Sequence, residues 1–403
     1  MNDAITGGGT KQSLLEIDGN VSFNNDVSGN NLRVDAGATL DFGDKGKFND
    51  ATRDVMFYCG STLDLANGTT SEAIVAKNVS VKDDDNGAVN VVVDVDLANT
   101  AVDSIKAESF NQTGKFQFDN FRMLSDAAGT VTAVTVFTGT ENAKPTMDVA
   151  KTTFTSNYAY DVTATNGALT FTRGNDKVNG VAKALETASK GVTTSLSLTG
   201  DYNAEENLEK LTAGALTVFG QGHTFNGNGK GGFNVTSGTL NMGDATMSGF
   251  DSALTVGTGG AVAMTGVNFT GNTGAIVNNG TLKFTDCSFT NNGTPAKTGK
   301  TVSILAAGGN ASAGAIYNEN TLSIVASNQD VVFGGNSASG VSNAIHNEGT
   351  LNLVASGHRI VFNDSITGAA TSVMAINKDE GTGTIVLNAD MSGYKGAVAL
   401  DNG

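Results

Sequence analysis

Short runs in which apolar and polar residues alternate recur along most of the chain. Residues 89–97, for example, place Val91, Val93 and Val95 at every second position. A period of two puts apolar side chains on one face of an extended strand, so the pattern predicts half-buried β-strands. Residues 1–175 are therefore predicted to be an irregular, strand-rich β-solenoid segment.

Later in the chain the strand pattern becomes a repeat. Three consecutive units begin at Phe233, Leu254 and Ile276, which are 21 and 22 residues apart, and each unit holds three short strands separated by Gly or Asn corners. Further units begin 29 and 31 residues apart, at Ile316, Ile345 and Ile376. A constant strand pattern with variable spacing indicates that insertions are confined to one corner of the unit.

A unit of about 22 residues with three strands is typical of one coil of a solenoid. Successive coils stack about 4.8 Å apart, with one residue of each alternating pair directed into the stack. The predicted fold class is therefore all-β, a parallel right-handed β-helix. The four isoleucines are expected at equivalent inward positions, namely Ile276, Ile316, Ile345 and Ile376.

The period changes near residue 176. Val178, Val181, Leu185 and other apolar residues recur at helical spacing, which predicts a short helix over 176–190 that ends before Gly191. A second short helix is predicted from Asn203 as cap, with Glu206 three residues later and Leu208 and Leu211 on its apolar face. The expected domains are thus 1–175 and 176–403, the latter a regular β-helix of coils of about 21–31 residues flanked by one or two helices.

Charge narrows the range of partners. The formal net charge is −16, and only 16% of the residues are charged. Nucleic-acid binding requires a basic surface that displaces counterions from phosphates, so a nucleic-acid partner is excluded. The excess of acidic over basic residues also disfavours docking on anionic lipid.

Cys59 and Cys287 are the two cysteines, and both lie in strand-like runs. A disulfide requires Cα atoms within about 7 Å of each other. Residues this far apart in sequence fall in distant coils of a solenoid, so both cysteines are expected to be buried free thiols.

Two recurring tetrads carry a resemblance to a known group of proteins. Residues 274–277 and 314–317 read Gly-Ala-Ile-x, and a Phe-x-x-Asn motif occurs at 225–228, 269–272, 289–292 and 333–336. Phased in this way, the motifs resemble those of polymorphic outer-membrane proteins and, more widely, of autotransporter (type V) passengers with pectin-lyase-like β-helices. Asn343 departs from the first motif, and residues 362–365 depart from the second.

That resemblance implies a function and a location. Such proteins are displayed outside the bacterial cell and act as adhesins, so a host or bacterial surface protein or glycan is the expected partner. Both ends of the sequence are expected to lie inside a longer protein, and a C-terminal region beyond Gly403 would supply the membrane anchor. The inserted loops at 293–313 and 337–343 are expected to be presented to the partner.

No catalytic, cofactor-binding or metal-binding residue is predicted. Parallel β-helices include polysaccharide lyases and hydrolases, but the paired Asp strands that hydrolysis requires are missing beside His223 and His358. The three histidines are interpreted as a corner residue (His223), an outward strand residue (His346) and a loop residue (His358). Residues 83–86, Asp-Asp-Asp-Asn, are interpreted as a charged turn rather than a calcium site.

A non-enzymatic surface adhesin or structural rod is therefore the favoured function. Two alternatives stay open: a carbohydrate-active β-helix enzyme, and a protein that self-associates into a surface lattice or filament. Self-association is considered because the last coil of a solenoid exposes unpaired strand edges.

Folding is predicted to require no metal ion. The sequence contains no Cys/His cluster and no repeated calcium-binding nonapeptide, so apolar packing and backbone pairing should suffice. We expect EDTA to leave the melting temperature unchanged. A decrease of more than a few degrees would reveal a calcium site, and substitution of Asp83–Asp85 by Asn would then locate it.

Overall fold

The computed structural model describes most of the chain. The described residues are 5–6, 13–43, 45–82, 87–139, 144–150, 152–274, 276–293, 313–377 and 381–400. They form an all-β protein of largely parallel sheets, a parallel β-helix, as the sequence predicts. The chain divides into two compact units, one of residues 1–183 with 194–199, the other of 184–193 with 200–403.

The described residues of the first part of the chain form twenty strands. They are β1 (Ile5–Thr6), β2 (Ser13–Ile17), β3 (Asn20–Phe23), β4 (Val27–Ser28), β5 (Asn30–Val34), β6 (Thr39–Phe42), β7 (Phe48–Tyr58), β8 (Thr62–Asp64), β9 (Glu72–Lys82), β10 (Ala88–Asp96), β11 (Ala101–Val102), β12 (Ser104–Gln112), β13 (Lys115–Ser125), β14 (Val131–Thr135), β15 (Phe137–Gly139), β16 (Met147–Val149), β17 (Thr152–Thr155), β18 (Ala159–Thr165), β19 (Ala168–Arg173) and β20 (Thr193–Ser197).

Two parallel sheets make up most of the first unit. One has the order β1-β4-β7-β9-β12-β15, with β2 and β5 joined to it through β7, and the other has the order β16-β13-β10-β8-β6-β3. The predicted strand at 89–97 is β10, and its Val91, Val93 and Val95 are all buried. Register shifts interrupt the pairing of β10 with β13 and of β7 with β9, which accounts for the irregular sequence spacing.

The first unit ends in strands of a different kind. β14, β17, β18 and β19 pair antiparallel, whereas β17 pairs parallel with β20. Short turns explain the change, because a turn such as Asn166-Gly167, with both residues at positive φ, returns the chain directly alongside itself.

One of the two predicted helices is present among the described residues. α1 spans Gly180–Ala188, shorter than the predicted 176–190, because Asn179 caps it by accepting a hydrogen bond from the Ala182 N–H at 3.1 Å. Gly191 follows the helix with a φ of 84°, the left-handed conformation that favours Gly after a helix.

The prediction of a second helix at 203–211 is wrong. Tyr202 and Asn203 pair in parallel with Phe225 and Asn226, and Lys210 and Leu211 pair with the following coil. Strands form here instead of a capped helix because pairing between coils satisfies the same backbone groups. Leu211 is still buried in the core in this conformation.

The remaining strands belong to the second unit. They are β21 (Tyr202–Asn203), β22 (Lys210–Leu211), β23 (Ala215–Phe219), β24 (Thr224–Asn226), β25 (Gly231–Gly243), β26 (Thr246–Ser248), β27 (Ser252–Thr265), β28 (Asn268–Thr270), β29 (Ile276–Asn278), β30 (Thr281–Thr285), β31 (Ser288–Thr290), β32 (Ile316–Asn318), β33 (Thr321–Ala326), β34 (Val331–Gly334), β35 (Ser337–Ala338), β36 (Val341–Ser342), β37 (Ile345–Asn347), β38 (Thr350–Ala355), β39 (Arg359–Phe362), β40 (Ile366–Gly368), β41 (Val373–Ile376), β42 (Thr384–Leu387) and β43 (Ala397–Leu400).

Each regular coil of the second unit contributes three strands to two parallel sheets. In the coil that begins at Ile276, β29 and β30 join one sheet, whereas β31 joins a second sheet with the order β21-β24-β26-β28-β31-β34-β39-β42. The coils are in register, because Phe233 pairs with Leu254 and Ile276 pairs with Ile316. The repeat read from the sequence is therefore the coil of the fold.

The core of this unit consists of stacked like residues. Phe289 stacks on Phe333 with ring centroids 4.5 Å apart, and Phe333 stacks on Phe362 at 4.6 Å. Leu282, Leu322 and other fully buried apolar residues form a second column in the sheet of β30. Such contacts add about 0.5–1.5 kcal/mol per aromatic pair beyond the area they bury.

One of the four predicted inward isoleucines is misplaced. Ile276, Ile316 and Ile345 are buried and in register, but the next member of the column is Ile366, whereas Ile376 pairs with Leu353. The corner after Phe362 is short, so β40 begins earlier than the spacing of the previous coils suggests. Ala-Ile-Asn at 375–377 resembles the motif but lies at the end of the next strand, β41, which ends at Ile376.

Ile345 tests this core directly. Replacing it by Asp places a charge at a fully buried position and removes about 1.5–3 kcal/mol of apolar burial. We expect Ile345→Asp to unfold the neighbouring coils, seen as a lower urea midpoint and as faster tryptic cleavage after Arg359. Asn352→Asp, at a partly exposed position of β38, is the matched control and should behave as wild type.

Candidate functional site

A column of buried amides follows the phenylalanine column at the next corner of the coil. The Asn272 Nδ2 donates to Asn292 Oδ1 at 2.9 Å, and the Asn292 Nδ2 donates to Asn336 Oδ1 at 3.0 Å. The Asn336 Nδ2 then donates to Asp364 Oδ2 at 2.8 Å. All four side chains are at most 5% exposed, so the column is an internal feature of the solenoid.

Each amide in the column also satisfies the backbone. The Asn292 Oδ1 accepts the N–H of Asn272, and its Nδ2 donates to the carbonyl of Phe269. One side chain thus bonds to the coils on both sides and pairs backbone groups that the corner withdraws from the sheets. This is the structural basis of the Phe-x-x-Asn motif.

The residue before each asparagine explains the rest of the motif. Gly271, Asn291 and Gly335 have φ values of 64°, 56° and 74°, a left-handed conformation that Gly and Asn adopt most readily. This corner turns the following Asn back into the stack. Asn228 does not belong to the column, because it has positive φ itself and bonds to the carbonyl of Ala204.

Asp364 occupies the end of the amide column, although residues 362–365 lack the expected Asn. Its carboxylate accepts hydrogen bonds from the Gly335 and Asn336 N–H groups, from the Asn336 amide and from the Ser342 hydroxyl. A carboxylate is suited to this end because it offers acceptors, and the hydrogen bonds between successive side chains of the column all run toward it.

A second amide column follows the isoleucine column. Asn278 donates to Asn318, and Asn318 donates to Asn347, both at 2.7 Å, and all three side chains are fully buried. The Asn347 Nδ2 donates in turn to the Gly349 and Val373 carbonyls. Ile-x-Asn is therefore a second structural motif of the coil, one that sequence reasoning missed.

Both insertions leave the coil at the corner that follows the first amide column. Gly293 and Ser337, the first residues of the two insertions, form a parallel bridge between neighbouring coils. The second insertion contains the antiparallel hairpin of β35 and β36, whose Val341 is 69% exposed. Of the predicted loop at 293–313, residues 294–312 lie outside the described residues.

An outward column lies beside this corner. Val277, Tyr317 and His346 are in register on β29, β32 and β37, and the Tyr317 ring stacks on the His346 ring with centroids 5.5 Å apart. Tyr317 is nevertheless only 3% exposed and packs with Val277 and Ala313. The imidazole of His346 contacts the Thr367 hydroxyl at 2.8 Å.

The structure separates the other candidate residues. His223 precedes β24 and His358 precedes β39, and these strands are five steps apart in their sheet. Each contacts one carboxylate, Asp201 or Asp330. Across the described residues, no three His, Cys, Asp or Glu side chains are grouped so as to hold a metal ion.

The cysteines are both free thiols. Cys287 is fully buried, and burial raises the pKa of its thiol to about 12, so it is unreactive at neutral pH. Cys59 is only partly buried, contrary to the expectation, because it is near the end of a strand rather than at an inward position. Residues 83–86, the predicted charged turn, lie outside the described residues.

Comparison with known proteins identified no family. No family model matches the chain, and neither the curated proteins nor the solved structures contain a match. The described part of the chain also contains no helix with the length and apolar character needed to cross a bilayer.

Asn292 tests whether the amide column carries stability. Substitution by Ala leaves the buried amide and backbone groups of both neighbouring coils without their partner, at a cost of about 1–3 kcal/mol for each group left unpaired. We expect Asn292→Ala to lower the urea midpoint of the second unit clearly. Asn268→Ala, on an exposed face of the neighbouring coil, should leave it nearly unchanged. Equal midpoints for the two variants would contradict this interpretation.

Proposed function

We propose that this chain is a non-enzymatic, surface-displayed segment of a bacterial adhesin. The observation that carries the proposal is the corner at Gly293 and Ser337, where insertions leave two neighbouring coils while the strands around them stay in register. A scaffold that tolerates insertions at one corner can vary a contact surface without altering its core.

The chemistry of the described residues supports a binding role over catalysis. The interior is filled by apolar columns and by amides whose hydrogen bonds are satisfied within the stack, and the histidines lie apart. The motif resemblance points the same way and suggests extracellular display at the bacterial surface. A host or bacterial surface protein or glycan would be the partner.

A specific observation also favours self-association as a second candidate. β42 and β43 each pair on one side only among the described residues, and Val398 and Leu400 of β43 are 52% and 71% exposed. An open parallel edge of this kind is a template for a further strand, whether from a second copy or from more of the same chain. Sedimentation velocity across a hundredfold range of concentration would support this role through progressively larger species, and a constant monomer would reject it.

The adhesin proposal can be tested at the hairpin tip. Val341→Asp adds a charge at a strongly exposed position of the β35–β36 insertion, and we expect it to reduce binding of the labelled protein to host or bacterial cells several-fold. Val131→Asp, at a comparably exposed valine outside the second unit, should bind as wild type.

Enzymatic activity provides the opposing outcome. The protein is incubated with acidic and neutral polysaccharides, and reducing ends and unsaturated products are measured. Turnover that a single Asp→Asn substitution abolishes would replace the adhesin proposal with a carbohydrate-active enzyme.

A further inference from the structure

One turn of the first unit is held by carboxylates rather than by the usual backbone pairing. The Asp64 carboxylate accepts the Ala66 N–H at 3.0 Å, and the Asp103 carboxylate accepts the Ser71 N–H at 2.8 Å. Between them, Asp94 Oδ2 accepts the N–H groups of residues 67, 68 and 69 at 2.7, 2.6 and 3.1 Å. We call Asp64, Asp94 and Asp103 the carboxylate clamp.

Two members of the clamp, Asp94 and Asp103, are joined to each other. The second oxygen of Asp103 accepts the Asp94 N–H at 2.7 Å, so the two residues form one unit. Asp94 projects from β10 opposite the buried Val93 and Val95, yet it is itself fully buried under the turn at 66–71. Opening of this turn would therefore return the carboxylates to water.

The clamp contains more negative charge than its surroundings balance. The charged groups that face it are Arg122 from β13, whose Nε lies 3.6 Å from Asp94 Oδ1, and Asp41 from β6, in register with Asp64. Asp94 Oδ1 and Arg122 Nε are both buried and have no hydrogen-bond partner among the described residues. Among the described residues, the positive charge of Arg122 is thus opposed by the three carboxylates of the clamp and by Asp41 nearby.

We propose that the carboxylate clamp makes closure of the 66–71 turn dependent on pH. The turn is closed in mildly acidic solution and opens more readily as the solution becomes alkaline. Two fully buried acids, Asp94 and Asp103, and the half-buried Asp64 hold one turn, and they cannot all ionise there without an unbalanced buried charge. Opening of the turn relieves that repulsion by hydration.

The direction follows from proton linkage. Burial raises the pKa of Asp103 to about 8 and that of Asp64 to about 7, and it also raises the pKa of Asp94 against the opposing effect of Arg122. In an opened turn these groups return to the ordinary aspartate value of about 3.9. The closed turn thus binds more protons than the opened turn. The stabilisation that these protons give the closed turn is complete below about pH 4 and is lost as the pH rises to about 8.

Hydrogen exchange of the full chain measures this opening. Deuterium uptake by peptides covering 66–71 is followed by mass spectrometry between pH 5 and 9, with exchange times scaled for the intrinsic dependence of exchange on pH. We expect the opening constant of this turn to rise by up to about tenfold per pH unit for each proton released. A constant value across this range in the wild-type protein would overturn the proposal.

Two variants assign the effect to the clamp. Asp103→Asn cannot ionise, so it should flatten the pH dependence of the 66–71 peptides, and Asp64→Asn provides the same test if the first variant does not fold. Asp390→Asn, at an exposed aspartate whose pKa is lowered by the Ser392 N–H, is the control and should keep the wild-type dependence. Full pH dependence in both clamp variants would contradict the proposal.

Discussion

The parallel register between neighbouring coils is the constraint on which the second unit depends. Once Ile276 pairs with Ile316 and Phe289 with Phe333, every position of one coil faces the same position of the next. Like residues therefore stack, and each inward side chain must pack favourably against an identical side chain in the neighbouring coil. Aromatic rings and amides satisfy this condition because rings stack and an amide has both a donor and an acceptor.

The corners follow from the same constraint. A corner removes backbone groups from the sheets, and the Asn272–Asp364 column replaces their partners with side-chain amides. Because this column secures one side of the corner and the isoleucine column the other, chain length between them can vary widely. That freedom explains how Asn292 and Asn336, 44 residues apart, are still hydrogen-bonded to each other.

The sequence predicts this part of the fold well because the repeat makes local and long-range preferences agree. Prediction from the sequence fails where local and long-range preferences conflict. Asn203 and Glu206 resemble a helix cap, but pairing with the next coil decides the conformation. Ile376 resembles its predecessors, but the short corner after Phe362 shifts the register. The carboxylate clamp has no local signal at all, since Asp64, Asp94 and Asp103 meet only through the stacking of irregular coils.

Crosslinking across the longer insertion tests the register most directly. Thr281 and Thr321 are paired neighbours on outward-facing positions, and adjacent strands lie at a spacing that a disulfide can bridge. We expect the Thr281→Cys/Thr321→Cys protein to form this disulfide on mild oxidation, identified by mass spectrometry of the linked peptides. The Thr281→Cys/Ser323→Cys protein, displaced by two residues on the same face, should link far less. Preferential linkage of the displaced pair, or of neither pair, would contradict the parallel register.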